Sequence, residues 1–94
     1  MRLLFAEDSA LLREALTALL ERLGHTIAAT AQSAPELLSA FRRLIDAGEP
    51  PDLVLTDVRM PPDNRDDGLR AALDIRAVHP TQPVMVPSPY PVPY

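Results

Sequence analysis

Residues 53–62 read Leu-Val-Leu-Thr-Asp-Val-Arg-Met-Pro-Pro, and they constrain the fold more than any other stretch. Three apolar residues and a β-branched threonine suit a buried strand. Pro61 and Pro62 cannot continue a strand interior. Asp57 therefore falls at the carboxyl end of a strand spanning 53–57, where open α/β sheets place their ligands. An acid there is a helix cap, a loop residue or part of a reactive site. The same pattern stands at the start of the chain, where Leu3-Leu4-Phe5-Ala6 runs into Glu7-Asp8.

Between and beyond these two strands the apolar period alternates. Residues 2–6 read as a strand. A helix follows, capped by Asp8 or Ser9, with Leu11, Leu12, Ala15, Leu16, Leu19, Leu20 and Leu23 on one broad face. That leucine stripe is expected to be core, and Gly24 stops the helix. Residues 26–31 read as a second strand. Ser33-Ala34-Pro35-Glu36 forms a capping box for a helix carrying Leu37, Leu38, Phe41, Leu44 and Ile45, closed by Gly48. After the strand at 53–57, residues 60–67 are a loop by turn chemistry. A third helix spans about 67–78, with Ala71, Ala72, Ile75 and Val78 as its buried face, and His79-Pro80 ends it. A fourth strand covers 84–86. The βαβαβαβ order predicts an α/β fold, a parallel sheet with helices on both faces and right-handed crossovers.

The chain has 94 residues, is 47% hydrophobic and carries a formal net charge of -4, so it suits one small domain. The negative charge and the absence of a basic cluster argue against a nucleic-acid surface. There are no cysteines, hence no thiolate metal site. No apolar run reaches spanning length and no leader precedes the first strand, so a soluble, cytoplasmic protein is expected, with no membrane partner. His25 and His79 have no third ligand at metal spacing and read as solvated loop residues.

Parallel strands that end together bring Glu7, Asp8 and Asp57 to one sheet edge. Three carboxylates in one crevice repel unless a proton or cation intervenes. A hard divalent cation fits, because Mg²⁺ takes one or two carboxylates and keeps waters for a phosphate. Spacing alone equally allows Asp8 to cap the helix and Glu7 to be solvated.

Glu7-Asp8 after strand one, Asp57 with Met60-Pro61 behind it after strand three, Gly68, and Ser88 after strand four together resemble a response-regulator receiver domain. The nearest flavour is the type that precedes a DNA-binding helix-turn-helix domain of the LuxR/NarL kind. The resemblance covers residues 1–86 and implies a flavodoxin-like sheet, here in the order 2-1-3-4. It implies Asp57 as phospho-acceptor from a sensor histidine kinase, and Glu7 and Asp8 as the pair that holds Mg²⁺ with Asp57. It adds the backbone carbonyl of Arg59 as a metal ligand and Ser88 as the switch residue that binds the phosphoryl group. A receiver is a signalling module, not an enzyme. A Mg²⁺-dependent phosphohydrolase with Asp57 as nucleophile is the weaker reading, for want of a general acid close behind Asp57.

The departures are specific. The family continues with a fourth helix, a fifth strand, a lysine after it and a fifth helix, whereas this sequence contains no lysine and ends at Tyr94. The loop before Gly68 is long. Residues 87–94 alternate proline with Ser88, Tyr90, Val92 and Tyr94, so they form a separate tail: a polyproline II or disordered segment, or an edge strand blunted on one side. The expectation is a truncated receiver, impaired as a switch. The alternative is a phosphorylation-independent self-association module, a homodimer built on the fourth strand and the tail.

Overall fold

A computed structural model describes residues 1–57, 62 and 66–86. The elements are β1 (Arg2–Ala6), α1 (Ala10–Arg22), β2 (Thr26–Ala31), α2 (Ala34–Asp46), β3 (Leu53–Thr56), α3 (Asp67–Val78) and β4 (Val84–Met85). Their order follows the predicted alternation, with each boundary within a residue or two. The strands form one parallel sheet in the order β2-β1-β3-β4, as expected. The fold is the flavodoxin-like arrangement.

The local signals act as read. Ser9 caps α1 by accepting from the Leu12 amide at 3.2 Å, and Ser33 caps α2 by accepting from Glu36 at the same distance. Both helices end in a Schellman motif. In α1, Gly24 donates to Glu21 and His25 to Leu20; in α2, Gly48 donates to Ile45 and Glu49 to Leu44. The two glycines have φ of 94° and 73°, where a Cβ is unfavourable.

The connections decide the layers. From β1 the chain steps outward to β2, then back across the sheet to β3 and on to β4. Right-handed crossovers therefore put α1 on one face and both α2 and α3 on the other. Leu4, Ala6 and Val54 point to the α2/α3 side and build the core with Leu37, Ala40, Phe41, Ala71 and Ile75.

Three expectations need correction. The leucine stripe of α1 is not core: the helix has no buried residue, and Leu11 is 80% and Leu23 65% exposed. Leu16 and Leu20 alone among those leucines are half-buried. Among the described residues α1 packs mainly on β2 and on no helix to a comparable extent, so one flank of the stripe lies open. Val78 is likewise exposed at the end of α3. His79 is not simply solvated, since its ring meets Phe41 edge-on with centroids 5.2 Å apart.

Candidate phosphoryl-acceptor site

The ladder sets the site. Ala6 pairs with both Ala31 and Thr56, so β1 and β3 end flush and the next residues, Glu7 and Asp57, emerge side by side. Carboxylate oxygens of Glu7, Asp8 and Asp57 all lie within 4.8 Å of one another. The sequence placed these three acids together, and the structure does the same.

The plain alternative for the pair at 7–8 does not hold. Ser9, not Asp8, caps α1, which frees the Asp8 side chain. Glu7 is 4% exposed and so is not a solvated surface residue. Its backbone is fixed on both sides: the amide donates to the Ala31 carbonyl at 2.9 Å, and the carbonyl accepts from Arg13 Nη1 at 2.7 Å. Asp57 is half-buried, and burial raises its carboxyl above the ordinary carboxylate value. A buried acid beside two others is a donor set that suits a hard cation with oxygen ligands.

Two contributors, Arg13 and Thr56, were not legible in the sequence, and a third, Gly68, stood out only through the resemblance. Arg13 reaches back from the first turn of α1 to the Glu7 carbonyl; its position one turn after the cap was the available signal. Thr56, buried at the end of β3, donates its hydroxyl to the Asp57 carbonyl at 3.2 Å. Gly68, in the first turn of α3, lies against that same carbonyl. Arg59 and Ser88, assigned by resemblance, lie outside the described residues, as do Met60, Pro61 and the tail at 87–94.

A groove of about 190 Å³ runs from the acids along α1, lined by Phe5, Leu12, Leu16, Leu20 and Leu55, with Glu7, Thr56 and Asp57 at its end. On the opposite face a larger cleft of about 350 Å³ lies between α2 and α3, away from the carboxylates.

A parallel sheet in this order with acids at its carboxyl edge is the architecture of a receiver domain. The family model for the response regulator receiver domain matches residues 3–90, and the chain belongs to that family. Among solved structures, it resembles the anti-anti-sigma factor PhyR from Bartonella quintana, with 25% identity and a TM-score of 0.75 over 90% of this chain and 31% of that one. A LuxR-family two-component response regulator from Aurantimonas matches with 26% identity and a TM-score of 0.71, over 90% of this chain and 56% of that one. The complex of CheX and CheY with BeF3 and Mg from Borrelia burgdorferi matches with 22% identity and a TM-score of 0.77, over 92% of this chain and 60% of that one; at that identity the likeness is one of fold. The chain thus spans between about a third and three fifths of the solved chains it matches. No curated protein matches the sequence. No helix among the described residues is long and apolar enough to cross a membrane.

Proposed function

We propose that this receiver, residues 1–86 with a separate tail at 87–94, accepts a phosphoryl group on Asp57 from a sensor histidine kinase in the cytoplasm, without contacting nucleic acid itself. The observation that carries this reading is the meeting of Glu7, Asp8 and Asp57 oxygens within 4.8 Å at the carboxyl edge of the sheet. In the transfer, an Asp57 oxygen attacks phosphorus as the phosphorus–nitrogen bond of the phosphohistidine breaks. The electron pair stays on the imidazole nitrogen, which takes up a proton, and Asp57 becomes an acyl phosphate. Glu7, Asp8 and Asp57 are the side chains that would hold Mg²⁺, and the resemblance adds the Arg59 carbonyl. Bound Mg²⁺ supplies charge neutralisation for the crowded carboxylates and the phosphoryl oxygens. Ser88 is the proposed switch residue.

Incubation with a small phosphodonor and Mg²⁺, followed by intact mass, tests the reading. The parent is expected to gain one phosphoryl group and Asp57→Asn none. A parent that gains none overturns it. Switching within these 94 residues is proposed to be impaired, because they hold no lysine to meet the phosphoryl group and a state change needs a bistable element to bias. Amide exchange is accordingly expected to change only around Asp57 when a phosphoryl mimic binds.

A second reading is self-association independent of phosphate. It is favoured by β4, a two-residue strand at the sheet edge whose Met85 is 53% exposed. Among the described residues no strand pairs with the outer side of β4; such an edge is a pairing template, and residues 87–94 follow directly in sequence. A two-fold dimer through β4 and the tail is the proposed form. Sedimentation at micromolar concentration decides it; a monomer, or a dimer indifferent to deletion of 87–94, removes this reading.

A further inference from the structure

Strand pairing holds the chain as far as Thr56, opposite Ala6. Beyond it, two side-chain features converge on one atom, the Asp57 carbonyl oxygen. The Thr56 hydroxyl donates to it at 3.2 Å. From the other side comes the first turn of α3, at Gly68. A Cβ placed on Gly68 would run into this oxygen, while lying 2.8 Å from the carbonyl carbon and 3.1 Å from Thr56 Oγ1. Gly68 has an ordinary helical backbone, so this glycine is required for space and not for a left-handed conformation. The contrast with Gly24 and Gly48 is direct, since a Cβ on either meets nothing within 4 Å.

We infer that Thr56 and Gly68 are positioning residues, which together hold the Asp57 carbonyl and so the main-chain position from which its carboxylate extends; the inference rests on the receiver reading above. Their effect is transmitted through the backbone. A shift of that carbonyl moves the Asp57 main chain, and with it the Cα from which the carboxylate extends. An alanine at 68 forces one of the two partners to move. α3 is anchored by Ala71, Ala72 and Ile75 in the core, whereas the Asp57 peptide is a strand end. The peptide therefore yields. Displacement of a reacting group by about 1 Å costs on the order of 100-fold in rate.

The test uses the full chain with Mg²⁺ and a small phosphodonor, comparing the parent with Gly68→Ala, Thr56→Val and Thr56→Ser. Phosphate incorporation is expected to slow by about 10- to 100-fold in Gly68→Ala. Thr56→Val, isosteric but without the hydrogen bond, is expected to slow about five-fold, and Thr56→Ser, which keeps the hydroxyl, to stay within about two-fold. Mg²⁺ affinity is expected to weaken along with the rate in Gly68→Ala, since Asp57 is among the side chains that would hold the cation, and to stay near the parent's in Thr56→Ser. A rate in folded Gly68→Ala equal to the parent's overturns the inference, and so does a Thr56→Val rate equal to that of Thr56→Ser. The threonine pair alone decides the matter if Gly68→Ala does not fold. A second readout is independent of phosphorylation: the carbonyl ¹³C shift of Asp57 is expected to move in Thr56→Val and not in Thr56→Ser. If the parent takes no phosphate, the receiver reading fails, and this shift still decides for or against the positioning role.

Discussion

The two faces of the sheet are built from similar sequence and end in different states. On one face α2 and α3 lie side by side, and Leu37, Ala40, Phe41, Ala71 and Ile75 are 5% exposed or less. On the other, α1 packs on no helix to a comparable extent among the described residues, and four of its flanking leucines, Leu11, Leu12, Leu19 and Leu23, are between 46% and 80% exposed. Both helices have 13 residues, serine N-caps and glycine stops. What separates them is the neighbour. An apolar stripe is buried only as far as another element reaches it, and the crossover direction sends both later helices to the same side.

The largest expected difference between the faces is in truncation of leucine. Leu37→Ala removes a side chain that is 0% exposed and is expected to cost about 2–5 kcal/mol in urea unfolding. A cost under 1 kcal/mol would show that the α2 face is loosely packed. Next comes the cap: Ser33→Ala, which deletes the bond to the Glu36 amide, is expected to cost about 1 kcal/mol by the same measurement.

A smaller effect belongs to the crevice where the two faces meet. Burial raises the Asp57 carboxyl above its ordinary value of 3.8. The folded state therefore holds this proton more tightly than the unfolded one. The stability it contributes is full below 3.8 and is lost as pH rises through the folded value. Asp57→Asn is expected to raise the thermal midpoint by about 2–5 °C at neutral pH, with the gain shrinking as pH falls toward 3.8. A gain that is flat with pH would show that desolvation of the charge is not the cause. The smallest effect is on α1, where Leu19→Ala is expected to change stability by less than about 0.5 kcal/mol. A cost approaching that of Leu37→Ala would mean that the α1 face is covered after all, and would erase the contrast.

The acids at the strand ends were legible because their placement depends on order alone: an apolar run, then an acid, twice, with helices between. The caps were legible for the same reason, since Ser9, Ser33, Gly24 and Gly48 act within a few residues of themselves. Arg13 and Gln82 were not. Gln82 is buried with its Nε2 donating to the Pro51 carbonyl at 3.2 Å, a contact across 31 residues that no local pattern contains.

By itself the sequence determined the alternation of elements, their stops, and which acids would share an edge, because period, capping chemistry and strand direction are local properties. Only the tertiary structure decided which apolar residues are buried, since Leu19 and Leu37 differ in surroundings and not in pattern. It alone also showed that Gly68 is there for space, because the atom it must clear, the Asp57 carbonyl oxygen, belongs to a residue eleven positions earlier. Burial and close approach are properties of pairs, and the pairs form only when the sheet closes over its helices.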